Sequence, residues 1–499
     1  MELNSKKRIS INVVFSVLQV GIVGLVYLII YKLLLSKLGI EQLGVWSLIL
    51  ATTSVANLAN FGITSGIVKF VAEYYSEKNI KKIEKVIFTS FLSLLIFFTL
   101  ISILVYPLSK YFLKYFIEFK YYDLALTMLP ISLISLIINS VSGVFSSALE
   151  GVQKNYSKNI LIIISTFIFL IGIYFLTDRY GLLGVAYSQL IQAVFLLITA
   201  YLLVVFEFKS FLILRSNWDT KTFKEITGFG LKFQFISILL MLFDPITKAL
   251  LSKFGGLSFL GYYEMANKLI FQIRAVIINA NQVMIPVIVH TRLSGKEKLN
   301  DLYKKNLELT FRLSLFLMSA LMILTPLISI LWIGELNGYF IFCMYFLSFA
   351  VFINILNSPA YFASIAHGNL GLLIKSHLLM SLLNVILCSI FGYYFGGKAV
   401  VIMSSLSLII SSMYLVVYYH LKIGIKNDFL MTKNNMFLIA LSMFLIYFSF
   451  HFRENLIHFK ENLYLILPPI LFLTLLFIIH AFLLFKLFKK GQIQKNEIN

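Results

Sequence analysis

The chain has 499 residues, of which 60% are hydrophobic and 13% charged, with a formal net charge of +20. Its mean hydropathy is +0.90. That composition excludes a soluble globular protein, and near-continuous apolar runs of about 20 residues exclude the alternating strands of an outer-membrane barrel. We therefore expect an all-α polytopic membrane protein with no soluble catalytic domain.

Fourteen apolar runs predict about fourteen transmembrane helices, the first of them an uncleaved helix because its apolar run is too long for a signal peptide. The predicted spans are 9–35, 43–68, 86–107, 124–149, 159–176, 182–206, 229–251, 259–290, 306–333, 339–366, 376–396, 398–421, 434–452 and 462–486. Most loop Lys and Arg residues fall on the side of the N-terminus, which predicts that both termini are cytoplasmic. The net charge then reflects topology and anionic lipid, with no nucleic-acid partner.

The sequence predicts no cofactor and no metal site. Cys343 and Cys388 both lie inside apolar runs, where a cysteine behaves as a small buried apolar residue. No Cys/His spacing typical of a metal site is present, and no ATP-binding motif is present.

Spans seven and eight carry most of the charges that fall inside the predicted membrane region. A charge at a helix centre costs about 2.5 to 3.5 kcal/mol on insertion scales, so such residues normally face a bundle interior or a wet cavity. The polar residues of span eight occupy roughly half of its circumference. These two helices are predicted to line a transport pathway. The predicted cavity residues on them are Lys232, Lys248, Asn267, Lys268, Gln272, Arg274, Asn279, Asn281 and Gln282.

Three acids inside spans each precede a base by four residues, the favourable order for an ion pair on one helix. The pairs are Asp244 with Lys248, Glu264 with Lys268, and Glu308 with Arg312. Asp244 and Glu264 are candidates for ion coupling, although mutual neutralisation that eases membrane insertion explains the pairs equally well.

Arg274 differs from these paired cations because no acid lies within one turn of it. A guanidinium stays protonated, so it needs an anionic partner or water. The pattern indicates a substrate contact, and a structural bridge to an acid on another helix is the alternative.

The chain contains an internal repeat. KLLLSKLG at residues 32–39 recurs as KALLSKFG at 248–255, and GIEQLGVW at 39–46 recurs as GLSFLGYY at 256–263. Spans one to six therefore repeat as spans seven to twelve, which predicts an N-lobe at 1–210, a C-lobe at 211–425, and two further helices with a basic cytoplasmic tail at 426–499.

Six helices per copy imply parallel lobes related by an axis along the membrane normal, as in alternating-access transporters. Asn57 takes the place of Arg274 in the first copy.

Three segments carry a resemblance to a known family. LGIEQLGVWSLI joins spans one and two, LANFGITSGIVKFVAEYYSEKN closes span two, and FGGLSFLGYYEMANKL joins spans seven and eight. With these segments the chain resembles the Wzx-type polysaccharide and O-antigen flippases of the MATE/MOP exporter superfamily. The resemblance implies two pseudo-symmetric six-helix lobes plus two C-terminal helices.

The resemblance also implies a function. Such flippases move undecaprenyl-pyrophosphate-linked oligosaccharides across the bacterial inner membrane through a cationic cavity, for O-antigen, capsule or other polysaccharide biosynthesis. It implies membrane lipids, a polysaccharide polymerase and a chain-length regulator as partners, and no enzymatic activity. Arg and Lys contacts to pyrophosphate would be charge-assisted.

Two other functions are weighed. A cation-coupled multidrug exporter of the same superfamily is expected to place a carboxylate in the N-lobe cavity, and spans one to six contain no acid. A membrane glycan polymerase or ligase needs paired acids or bases on a sizeable outer loop. The longest predicted outer loop, residues 108–123, is short and rich in Lys and aromatic residues.

Overall fold

A computed structural model describes residues 2–56, 63–209, 218–282, 284, 288, 296–425, 432–456 and 467–496. These residues form fifteen α-helices and one π-helical turn, Ser329–Ile333. The helices are α1 (Glu2–Leu38), α2 (Ile40–Ala56), α3 (Ile63–Ser76), α4 (Ile80–Phe116), α5 (Phe119–Gly151), α6 (Asn155–Tyr180), α7 (Leu182–Phe208), α8 (Thr220–Gln282), α9 (Lys296–Ile328), α10 (Gly338–Leu356), α11 (Ser358–Ala366), α12 (Leu370–Phe395), α13 (Gly397–Ile423), α14 (Lys433–His451) and α15 (Leu467–Asn496).

The helices agree with the predicted spans. Over the described ranges, ten helices are long and apolar enough to cross a membrane, and Leu467–Leu483 of α15 is a shorter apolar helix. Helices α2 and α3 cover the described parts of the predicted second span. Helix α8 covers the seventh span and residues 259–282 of the eighth, on either side of a non-helical residue, Gly256. The predicted all-α polytopic membrane protein is confirmed.

Several helix ends are capped by side chains in the positions that the sequence favours. The side-chain oxygen of Asn79 caps α4 by accepting a hydrogen bond from the Lys82 amide at 3.2 Å. The side-chain oxygen of Asn337 caps α10 in the same way. Asp219 caps α8 by accepting from the amide and the hydroxyl of Thr222, and these bonds hold the pKa of its carboxyl below the usual value. Such bonds satisfy amides that have no partner inside the helix.

The chain divides into two compact units, Met1–Gly261 and Tyr262–Asn499. In unit 1, α7 packs along α5 and α6, and α6 also packs on α1. In unit 2, α13 packs along α10 and α12, while α14 and α15 pack on α9. The apolar core under the last two helices includes Leu438 of α14, Leu476 of α15, and Phe311 and Ile323 of α9.

The backbone confirms that helix breaks recur at equivalent positions of the two repeats. Four pairs of residues with positive φ occur at nearly the same spacing along the chain. They are Gly39 (+80°) with Gly256 (+81°), Gln153 (+61°) with Gly368 (+70°), Gly181 (+56°) with Gly396 (+74°), and Lys209 (+52°) with Gly424 (+76°). Positive φ is uncommon outside glycine, so this recurrence is a conformational signature of duplication.

Two glycines of the repeat bring its two copies together inside unit 1. A Cβ atom built on Gly44 would lie 2.1 Å from the carbonyl oxygen of Leu257, and one built on Gly261 would lie 2.5 Å from that of Ile40. Gly44 corresponds to Gly261 in the repeat, and Ile40 corresponds to Leu257. The α1–α2 turn and the turn at Gly256 therefore pack reciprocally, and only glycine permits this backbone approach. We call this contact the reciprocal glycine junction.

One carboxylate at the same junction accepts hydrogen bonds from three side chains. Glu41 accepts hydrogen bonds from the Lys120 ammonium at 2.7 Å, from the Tyr121 hydroxyl at 2.6 Å and from the Ser258 hydroxyl at 3.4 Å. The bonds from Lys120 and Tyr121 hold the pKa of the Glu41 carboxyl below its usual value. Glu41 thus links the start of α2 to α5 and to the turn that follows Gly256.

We expect Gly44→Ala to lower the free energy of unfolding by about 1 to 3 kcal/mol, because backbone atoms must move to admit the methyl group. Gly261→Ala should lower the free energy of unfolding by a similar amount, because Gly261 is the counterpart of Gly44 in the repeat. The control is Gly21→Ala in α1, where nothing lies within 4 Å of an added Cβ. Thermal unfolding in detergent measures the effect. Equal stability of Gly44→Ala, Gly261→Ala and Gly21→Ala would contradict the reciprocal packing.

Candidate transport site

Two of the predicted site residues meet in unit 1 as an ion pair on α8. The Lys248 ammonium lies 2.7 Å from the Asp244 carboxylate, one turn earlier on the helix. The Lys248 side chain is 7% exposed and that of Asp244 is 42% exposed. Lys248 is therefore a buried cation neutralised on its own helix, and the carboxylate is the more accessible end of the pair.

A polar cavity of about 490 Å³ borders this ion pair within unit 1. Such a volume is typical of sites that bind small organic ligands. Its wall also contains hydroxyl and carboxamide side chains from α2, α5 and α7. These are Thr53, Ser54, Ser132, Ser135, Asn139, Gln189 and Gln192. Apart from the Asp244–Lys248 pair, the described wall carries no charged side chain.

Arg274 lies in unit 2, where a neutral amide holds its guanidinium. Its Nε donates to Oδ1 of Asn354 on α10 at 2.9 Å, and the guanidinium carbon lies 5.4 Å from the centre of the Phe271 ring. Asn354 in turn donates to the hydroxyl of Ser412 on α13 at 2.9 Å, and Asn357 donates to the same oxygen at 3.1 Å. Three helices therefore fix the position of the cation.

The surroundings of Arg274 leave its positive charge uncompensated. Within the described ranges no carboxylate forms an ion pair with it, and Nε is its only nitrogen in a hydrogen bond. Two aromatic side chains lie near Arg274, those of Tyr361 and His377, and their ring centres are 5.9 Å apart. Because arginine binds phosphate through two parallel N–H bonds, the two terminal nitrogens are suited to an anionic ligand. The predicted alternative, a bridge to an acid, is not found among these residues.

The other predicted site residues on α8 divide by burial. Asn281 is buried and donates to the Ser358 hydroxyl at 3.0 Å while accepting from the Thr310 hydroxyl at 3.1 Å, so it ties α8 to α9 and α11. Glu264 is buried. Asn267, Lys268 and Gln272 are half-buried, and Asn279 and Gln282 are exposed. The side chain of Lys232 and the whole of Asn57 lie outside the described residues.

A comparison with known protein families identifies the chain. The profile of a family described as polysaccharide biosynthesis protein matches residues 8–292, which is more than half of the chain. The chain belongs to this family. No curated protein matches the chain in a sequence search.

Solved structures show that this family member has the MOP superfamily fold. An inward-facing multidrug resistance transporter of the MATE family matches with a TM-score of 0.72 and 15% identity, over 84% of this chain and 97% of that one. The lipid II flippase MurJ matches with a TM-score of 0.67 and 17% identity, over 95% and 99%. A MOP transporter from Pyrococcus furiosus matches with a TM-score of 0.59 and 14% identity, over 83% and 95%.

Several residues around both sites in this family member were not predicted from the sequence. Gln189 and Gln192 of α7 are three residues apart in an apolar span, and so are Asn354 and Asn357 near the end of α10. Residues three apart lie on the same helix face. Paired amides at that spacing are a signal that could have located both sites, because polar side chains in a membrane helix normally face protein or water.

Proposed function

We propose that the protein is a flippase that moves undecaprenyl-pyrophosphate-linked oligosaccharide repeat units across the bacterial inner membrane by alternating access. The observation that carries this proposal is the guanidinium of Arg274, which Asn354 holds at 2.9 Å and which forms no ion pair with a carboxylate among the described residues. A pyrophosphate carries negative charge that must cross a region of low dielectric constant. A fixed cation there lowers the barrier, since charge interactions are several times stronger at low dielectric constant than in water.

The family and the fold support the same function from a different direction. The family is described as polysaccharide biosynthesis protein, and MurJ, which shares the fold, is described as a lipid II flippase. In our proposal both termini face the cytoplasm, and the glycan is delivered to a polymerase and a chain-length regulator on the outer side. O-antigen, capsule or another surface polysaccharide is the end product.

A cation-coupled multidrug exporter is the second candidate, and one observation favours it. Asp244 presents a partly exposed carboxylate to the cavity of unit 1, where a cationic drug or a coupling ion could bind. The Lys248 ammonium at 2.7 Å already neutralises that carboxylate, which weakens its attraction for a second cation. We therefore prefer the flippase.

Deletion of the gene in its host tests the proposal. We expect surface polysaccharide to be lost and completed lipid-linked oligosaccharides to accumulate in the cytoplasmic leaflet, measured by the access of a membrane-impermeant glycan-modifying enzyme. Restoration by a plasmid copy is the control. Unchanged surface polysaccharide in a strain that lacks every other flippase gene, together with new sensitivity to cationic compounds, would favour the exporter.

A further inference from the structure

The cavity of unit 1 has the chemistry of a carbohydrate site more than that of an anion site. The carboxamides of Asn139, Gln189 and Gln192 offer both donors and acceptors. The hydroxyls of Thr53 and Ser135 donate to carbonyl oxygens of their own helices and so offer a ligand their acceptor side. Sugar hydroxyls also act as donor and acceptor at once, so every such group on the wall can bond to them. A phosphate or an ionised carboxylate only accepts hydrogen bonds, so the acceptors on the wall would find no donor in it.

The orientation of the ion pair adds a charge preference. Lys248 is 7% exposed, whereas Asp244 is 42% exposed and lines the cavity. Both side chains line the cavity, and the carboxylate is the more exposed of the two. The carboxylate accepts bonds from sugar hydroxyls. It also disfavours an acidic sugar beside it, and the ammonium at 2.7 Å weakens that repulsion just as it weakens the attraction for a cation.

A buried hydroxyl supports the presence of a ligand. Ser132 is 5% exposed, it lines the cavity, and its oxygen has no hydrogen-bond partner among the described residues. A buried polar group without a partner costs about 1 to 3 kcal/mol. The oxygen itself is almost fully covered, so a ligand hydroxyl recovers that loss only once the Ser132 side chain turns towards the cavity, and an apolar drug cannot recover it.

Given the proposed flippase function, we propose that this cavity binds uncharged sugar residues of the transported glycan and disfavours acidic ones. The volume of about 490 Å³ admits a short stretch of oligosaccharide. Arg274 then serves the anionic part of the substrate, and the Asp244–Lys248 pair selects among glycans. Lys248, which the sequence predicts as a substrate-binding residue of the cavity, instead fixes Asp244 in this proposal.

The test compares two lipid-linked trisaccharides in proteoliposomes that contain the full chain. Both carry undecaprenyl pyrophosphate and differ only in the third sugar, glucose or glucuronic acid. We expect the wild type to translocate the glucose lipid about tenfold faster, equivalent to about 1.4 kcal/mol. Asp244→Asn removes the carboxylate beside Lys248 and should shift the rate ratio about tenfold towards glucuronic acid. The double variant Asp244→Asn with Lys248→Gln should lie between them.

A matched control exists on α9, where Asp301 and Lys305 form an exposed pair with the same spacing at 2.8 Å. Asp301→Asn should leave the ratio unchanged. Equal wild-type rates for both lipids, or a ratio that Asp244→Asn does not alter, would overturn the sugar assignment. A ratio that Asp244→Asn does not alter is also the result expected if Asp244 serves only in ion coupling, because lost coupling slows both lipids alike. Failure to move either lipid would instead contradict the flippase function. If Asp244→Asn does not fold, the wild-type ratio still decides.

Discussion

Arg274→Ala is expected to reduce transport of lipid-linked oligosaccharide at least tenfold while leaving the amount of protein in the membrane near normal. The guanidinium has no carboxylate to balance it among the described residues, so the fold does not depend on an ion pair there. Hydrogen bonds to a charged group are worth about 1.5 to 3 kcal/mol each, and the proposed phosphate contacts disappear with the side chain. Arg274→Lys should keep part of the activity, because it retains the charge but loses the planar fork.

Two controls separate the role of the charge from the role of packing. Asn354→Asp places a carboxylate next to the intact guanidinium, and we expect it to impair transport as Arg274→Ala does, by neutralising the cation. Arg179→Ala removes an exposed arginine at the end of α6 and should have no effect. Surface polysaccharide in the deletion strain, normalised to membrane protein, gives the readout. Wild-type activity in a well-expressed Arg274→Ala variant would remove Arg274 from the site.

Glu308→Gln is expected to lower the free energy of unfolding by about 3 to 5 kcal/mol, the usual cost of leaving one partner of a buried ion pair alone. The Arg312 side chain is 6% exposed and lies 2.6 Å from the Glu308 carboxylate. It also donates to the carbonyl oxygen of Leu483 at 2.8 Å, which joins α15 to α9. Thermal unfolding in detergent measures the loss of stability.

The double variant Glu308→Gln with Arg312→Met is the control for this pair. It removes both charges, so most of the stability should return, because well-packed apolar residues often replace a buried pair without loss. The exposed pair of Lys82 and Glu77, at 3.4 Å, offers a comparison in which Glu77→Gln should cost less than about 1 kcal/mol. If Glu308→Gln costs no more than Glu77→Gln, the pair does not hold the C-terminal helices.

The sequence predicted the helices well because membrane helices leave a strong one-dimensional signal. Where the structure describes them, the predicted apolar runs form helices, since a backbone in lipid must satisfy its own hydrogen bonds. The repeat was also visible, through short matched segments around Gly39 and Gly256, and both glycines have φ close to +80°. The matched segments align Gly39 with either Gly255 or Gly256. The positive φ of Gly256 identifies Gly256 as the counterpart.

The site was predicted less completely because its partners come from distant parts of the chain. The position of Arg274 indicated an anion ligand, but nothing local to it identified Asn354 or Ser412 as the residues that hold it. Asn281 lay on the same polar face of span eight, yet it bonds to Ser358 and Thr310. Periodicity shows which face of a helix is polar, and it cannot show whether that face meets a neighbouring helix or a ligand.

The most direct test of the flippase function is translocation in purified proteoliposomes. A fluorescent undecaprenyl-pyrophosphate oligosaccharide is placed in both leaflets, and a membrane-impermeant reagent destroys the outward-facing population. Our account predicts that vesicles with the wild-type chain lose nearly all of the signal over time, whereas empty vesicles and those with Arg274→Ala keep the inner half. Loss of signal at the same rate in wild-type, Arg274→Ala and empty vesicles would contradict it.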